Sequence, residues 1–184
     1  MYMSAVMAFL HHLAAFTVVG SLVAEVVLFK PPLTVAQARR IQVTDSIFGI
    51  SAGAVLVIGL LRVFYFEKGA AYYFHDAFFL AKLTAFIVAG LISIYPTVLF
   101  LSWSKTLRQG IAPEVPAAQL RRARMCLMLE LTAIALILLC APFMARGFGY
   151  FGRWFFPNIN TAVPGSWASV AGLRSRQPLV ALLR

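Results

Sequence analysis

The strongest constraint on this fold is that four apolar stretches, each long enough to cross a membrane, make up much of the chain. A helix needs about 20 apolar residues to cross roughly 30 Å of hydrocarbon. The four stretches are residues 4–29, 46–66, 77–103 and 125 to about 145. Since short segments join them, the sequence predicts an all-α integral membrane protein, an antiparallel four-transmembrane-helix bundle.

The composition excludes the other broad classes. Hydrophobic residues make up 61% of the 184 positions and charged residues only 12%. A water-soluble domain averages about 45–50% apolar and about 25% charged residues, and a disordered chain is less apolar still. The alternating strands of a transmembrane β-barrel would also lower the hydropathy. The expected surrounding of this chain is therefore a lipid bilayer.

The formal net charge of +10 predicts an orientation in that bilayer. Basic residues of membrane proteins orient helices and contact anionic headgroups, so we expect no nucleic-acid partner. The second loop and its flanks hold three basic residues, whereas the first and third loops hold eight: Lys30, Arg39, Arg40, Lys105, Arg108, Arg121, Arg122 and Arg124. The positive-inside rule then predicts a multi-pass membrane protein with both termini outside the cytoplasm.

The sequence divides into two parts, a four-span membrane bundle over residues 1–147 and an aromatic interfacial segment with an irregular tail over 148–184. The tail opens with six aromatic residues and then becomes rich in Pro, Ser and Gly. Such a cluster either anchors a chain at the membrane interface or docks a partner. The first span lacks a preceding basic region and is too long for a signal-peptide core, so we expect it to be retained.

The connecting segments carry local signals. Residues 34–43 are predicted to form a short interfacial helix, and Thr44 with Asp45 to cap the second span. The aromatic run 72–74 in the second loop is typical of the belt at a bilayer surface. The third loop is predicted over residues 104–124, since it holds two prolines and then three arginines.

Ionisable residues inside the spans are the most informative exceptions to the hydropathy. At about 100° per residue, His11 shares a face with Ala14 and Glu25, whereas His12 points away toward the rim. Arg62 and Lys82 each align with small residues, a pattern of close helix packing in lipid. The helical rise places His11, Arg62 and Lys82 in one layer roughly 6–11 Å below the membrane surface, so we expect them to converge.

Two loop-side residues, Tyr65 and His75, are predicted to cap this layer together with Glu67. Arg62 and Lys82 also fit a simpler role, because long basic side chains near helix ends extend to the headgroups. His11 is either a buried hydrogen-bonded histidine or a functional ligand.

A second group of ionisable residues lies in the other half of the membrane. It comprises Glu25, Asp45 and Glu130. For these carboxyl groups we expect ion pairs with the nearby arginines, Arg39, Arg40, Arg121 and Arg122.

Motifs of water-soluble catalysis are missing from the sequence. It contains no Walker loop, no GxGxxG, no GxSxG and no HExxH. Its three histidines and two cysteines have no spacing diagnostic of a metal site, so no metal ligand is predicted. Catalytic residues stay unknown, and whether the protein is an enzyme stays open.

Four stretches resemble a bacterial family of four-helix predicted membrane proteins, classified as a domain of unknown function. They are residues 10–28, 60–75, 81–97 and 128–150, and the most specific motifs are RVFYFEKG at 62–69 and SIYPT at 93–97. The resemblance covers nearly everything up to Tyr150. The resemblance implies a four-helix fold and a location in the bacterial inner membrane, but it implies no reaction.

A weaker resemblance concerns the haem-carrying, oxygen-independent protoporphyrinogen oxidase of bacteria. His11 and Lys82 match that family's first-helix histidine and the lysine that opens a later helix. The family has a second histidine two residues before its lysine, where this chain has Leu80, and the nearest histidine is His75. Copper-export membrane domains are similar in the same loose way.

Three hypotheses follow for the function. The first is an accessory or assembly subunit of a larger membrane complex, since no catalytic motif is recognisable. The second, implied by the weaker resemblance, is a redox protein that binds haem b. His11 would be one axial ligand and His75 or Lys82 the other, while Arg62 and Tyr65 would meet a carboxylate. The third is a transporter of small molecules or metal ions.

Overall fold

The computed structural model describes residues 2–66 and 70–146, and every regular element in these ranges is a helix. The predicted tail over 148–184 lies outside the described residues. The helices are α1 (Tyr2–Leu28), α2 (Val35–Leu61), α3 (Ala70–Phe74), α4 (Ala77–Ser102), α5 (Ser104–Arg108) and α6 (Ala117–Ala145). A π-helical turn over Arg62–Phe66 continues α2.

The four long helices form the bundle that the hydropathy predicts. Each one, by length and composition, can cross a membrane. The most extensive packing joins α1 to α2 and α4 to α6, while contacts of α1 with α6 and of α2 with α4 close the ring. Short connections make successive helices antiparallel. We call the end that carries residues 29–34 and 109–116 the basic end, and the opposite end the amino-terminal end.

The helix α2 begins eleven residues before the start of the predicted second span. Thr34 is its N-cap, and the backbone N–H of Gln37 donates to the Thr34 hydroxyl oxygen at 3.2 Å. In return, the backbone N–H of Thr34 donates to the side-chain oxygen of Gln37 at 3.0 Å. This capping box satisfies two otherwise unpaired donors. A separate interfacial helix over 34–43 is therefore wrong, and so is a cap at Thr44 and Asp45.

The helices α4 and α6 also differ from the predicted bounds. Asp76 caps α4, since its carboxylate accepts hydrogen bonds from the backbone N–H groups of Phe78 and Phe79 at 2.8 and 3.1 Å. The helix α6 begins at Ala117, so the ordered connection after α5 is much shorter than the predicted loop over 104–124.

The small-residue faces pack as predicted. Ser51 on α2 and Ala89 on α4 are both buried, and so is Pro96. Lipid tails are as apolar as leucine, so close packing rather than exclusion from water drives the association of helices here. At the basic end, Phe29, Phe100 and Trp103 form an aromatic cluster with ring centroids 5.1 to 6.3 Å apart.

Candidate ligand-binding cavity

A cavity lies between α1, α2 and α4 at the amino-terminal end. It encloses about 690 Å³ of empty space when its wide opening to the surroundings is included. Three of its lining residues are basic and none is acidic. The lining residues are His11, Val55, Leu56, Gly59, Leu60, Arg62, Val63, Tyr73, Phe79, Lys82, Leu83 and Phe86.

His11 enters this cavity from α1 and rests against α2. A Cβ atom added at Gly59 would lie 3.2 Å from Cε1 and 3.6 Å from Nδ1 of His11, so the glycine leaves the space that the imidazole fills. Nδ1 of His11 is buried and forms no hydrogen bond of good geometry with the described residues, although the backbone of Val55 lies close enough to interact with the imidazole. An unpaired polar group in an apolar medium costs roughly 2–7 kcal/mol, so this nitrogen is a candidate ligand atom.

Arg62 and Lys82 give the cavity its positive charge. Arg62 lies where α2 changes to the π-helical turn, and Lys82 lies in the second turn of α4. The two like charges are close enough to interact, and His11 is within range of both. Lys82 makes no hydrogen bond or ion pair within residues 2–66 and 70–146. A basic cavity with apolar walls favours an anionic ligand.

Tyr73 is a lining residue that the sequence analysis missed. It is 9% exposed and packs with Val63 and Phe79, at 5.3 Å between the ring centroids of Tyr73 and Phe79. Its placement in a surface belt is therefore wrong. The sequence held one signal for this packing. Asp76 precedes an apolar run, which marks the start of a helix, so the aromatic run 72–74 lies directly before that helix.

The structure brings together three of the five predicted site residues, namely His11, Arg62 and Lys82. Tyr65 is 76% exposed and does not line the cavity. His75 is half-buried and also lies outside the lining. His12 points away as the helical angles predict, since it is exposed and one of its ring nitrogens bonds to the backbone oxygen of Ala8 at 2.6 Å.

The expected ion pairs at the basic end are wrong. Both carboxylate oxygens of Glu130 and one of Glu25 have no hydrogen-bond partner in the described part of the chain. Arg39 instead donates to the backbone oxygen of Leu107 at 2.9 Å. Among the described residues, no group of three or more His, Cys, Asp or Glu side chains is placed to hold a metal ion.

A family model described as "Predicted membrane protein (DUF2214)" matches residues 3–149. The chain belongs to this family. The match covers all four long helices and both groups of buried ionisable residues. No curated protein and no solved structure matches the chain. The family description gives a membrane protein of unknown function, in agreement with the four helices able to span a bilayer.

Proposed function

We propose that this membrane protein binds haem b in the cavity at the amino-terminal end, with His11 as an axial ligand. The observation that carries the proposal is a half-buried imidazole in the lining of an apolar, basic cavity, whose buried Nδ1 forms no hydrogen bond of good geometry with the described residues. Histidine is a common axial ligand of haem iron in proteins.

The residues present fit the chemical groups of haem b. Its macrocycle is apolar and suits walls that include Tyr73, Phe79 and Phe86. A carboxylate of haem b suits the guanidinium of Arg62. Of the two candidates for a second axial ligand, Lys82 lines the cavity and His75 does not. Haem b, when bound, would supply one-electron redox chemistry, while the chain would orient it and exclude water.

An absorption spectrum tests this proposal directly. The protein is produced in cells supplied with a haem precursor, purified in mild detergent, and examined for a Soret band. We expect His11→Ala to abolish the band and His12→Ala, its matched control on the other face of α1, to retain it. A wild-type protein without a Soret band refutes haem binding. Equal loss in the two variants would refute the role given to His11.

Association with a larger membrane complex is a separate prediction. It rests on the absence of a recognisable catalytic motif and on the aromatic cluster of residues 148–156, which lies outside the described residues. Native electrophoresis of the mildly solubilised protein tests it. A single band at the protein's own mass, with nothing co-purifying, would contradict an accessory role without bearing on haem.

A further inference from the structure

Three carboxyl groups from three different helices lie together inside the bundle, away from the cavity at the amino-terminal end. They belong to Glu25 on α1, Asp45 on α2 and Glu130 on α6, which are 1%, 5% and 0% exposed. Glu25 is close enough to the other two for their charges to interact, and so is Glu130 to Asp45. We call these three residues the carboxyl layer.

The carboxyl layer has few polar partners. Oδ1 of Asp45 accepts a hydrogen bond from the hydroxyl of Thr97 on α4 at 2.8 Å. Oε1 of Glu25 and both carboxylate oxygens of Glu130 have no partner within the described ranges. The thiol of Cys126, one turn from Glu130 toward the basic end of α6, is close enough to interact with the Glu130 carboxyl group. No described basic side chain forms an ion pair with any of the three carboxyl groups.

Apolar side chains isolate the layer on both sides. One helical turn nearer the basic end lie Phe29, Ile41, Phe100 and Leu127, each no more than 1% exposed. One turn in the other direction lie Leu22, Phe48 and Ile134, each no more than 8% exposed. Water therefore does not solvate these carboxyl groups in the closed bundle.

The surroundings of the three carboxyl groups determine whether they are ionised or protonated. An ionised carboxylate in an apolar interior needs a cation partner, and neighbouring carboxylates repel each other. The layer offers no such cation, whereas a neutral carboxylic acid needs only hydrogen bonds. We propose that Glu25, Asp45 and Glu130 form a proton-binding site, in which each bound proton joins a carboxylate oxygen and leaves again to water.

The layer lies closer to the basic end than to the amino-terminal end. Glu25 lies one turn from the end of α1 at Leu28. A surface cavity at that end is lined by Val26, Leu127 and Met128 and by two basic residues, Lys30 and Arg124, but by none of the three carboxyl groups. The oxygen donors of the layer would also suit a hard metal cation. Protons are favoured because no described cluster of acidic side chains is placed to hold a metal ion.

Infrared spectroscopy tests the site in the whole protein at neutral pH. A protonated carboxyl group has a C=O stretching band, above the amide region, that shifts to lower frequency in D2O. We expect wild type to show this band, and Glu130→Gln and Glu25→Gln each to remove part of it. Glu114→Gln is the matched control, because Glu114 is exposed to solvent, unlike the three carboxyl groups of the layer.

A hydrophobic carbodiimide gives a second, independent measurement. The O–H of a protonated carboxyl group adds across a C=N bond of the carbodiimide, so peptide mass spectrometry should locate the adduct on Glu25 or Glu130 and not on Glu114. A wild type with neither band nor adduct would overturn the proposal. Loss of the band on addition of Na⁺, Mg²⁺ or Ca²⁺ would also overturn it, in favour of a metal site. Neither result depends on whether haem binds.

Discussion

Gly59 is the position where one added methyl group tests the packing of His11 most directly. In Gly59→Ala the new Cβ would lie 3.2 Å from Cε1 of His11, whereas ordinary contacts begin near 3.4 Å. The imidazole must therefore move by a few tenths of an ångström. Alanine gains about 1 kcal/mol over glycine in helix propensity, but overpacking costs typically about 1–3 kcal/mol. We expect a net change in the free energy of unfolding between about zero and 2 kcal/mol of destabilisation.

Gly53→Ala is the matched control, because it lies on the same helix and a Cβ there meets nothing within 4 Å. It should keep only the propensity gain, so the two variants should differ by about 1–3 kcal/mol. Equilibrium unfolding in mixed detergent micelles, followed by circular dichroism, measures this difference. The loss in Gly59→Ala should disappear in a His11→Ala background, with a coupling of about 0.5–3 kcal/mol.

Equal free energies of unfolding for Gly59→Ala and Gly53→Ala would contradict this prediction. So would a loss of stability in Gly59→Ala that persists in the His11→Ala background. Either result would mean that the His11 ring does not rest on Gly59. A haem spectrum of Gly59→Ala then adds a separate measurement, since a displaced imidazole should lower haem occupancy while Gly53→Ala leaves it unchanged.

Three further predictions follow from the described hydrogen bonds and loops. Thr34→Ala removes the N-cap of α2 and should lower the free energy of unfolding by about 0.5–2 kcal/mol, while Thr34→Ser should restore most of it. Thr97→Val leaves a buried oxygen of Asp45 without its donor and should lower the free energy of unfolding by about 1–3 kcal/mol, and by much less when Asp45→Leu is also present. In a variant without the two native cysteines, Gln109→Cys should react with a membrane-impermeant thiol reagent only from the cytoplasmic side. Reaction from the outer side would reverse the predicted orientation.

Hydropathy was enough to predict the four long helices, but it misplaced the start of α2. The apolar window begins after Arg39 and Arg40, so the span was predicted to begin there. The helix continues outward because Ala38 and Ile41 are buried while both arginines are exposed. The capping signal at Thr34 was present in the sequence, and it outweighs a change in hydropathy as evidence for where a helix begins.

Helical angles predicted the convergence of His11, Arg62 and Lys82, because each residue lies on a long regular helix. They could also have corrected the expected ion pairs. At about 100° per residue, Arg39 lies roughly 120° from Asp45, so it faces another side of α2. Tyr73 could not be placed in this way. It lies in the five-residue helix α3, which is too short to show a hydrophobic periodicity. Its packing depends on contacts with Val63 and Phe79, which lie outside this helix.

When ionised, the basic residues of the cavity and the carboxyl layer have opposite charges, but they are too far apart to neutralise each other. From His11 to Glu25 there are 14 residues, or about 21 Å along α1 by the helical rise. At an effective dielectric constant of 20, two unit charges at that distance attract by roughly 0.8 kcal/mol, far less than the penalty for burying an unpaired carboxylate. The cavity therefore cannot supply the cation that ionised Glu25 and Glu130 would need. Haem binding in the cavity and protonation of the carboxyl layer are accordingly separate proposals, and the failure of one leaves the other standing.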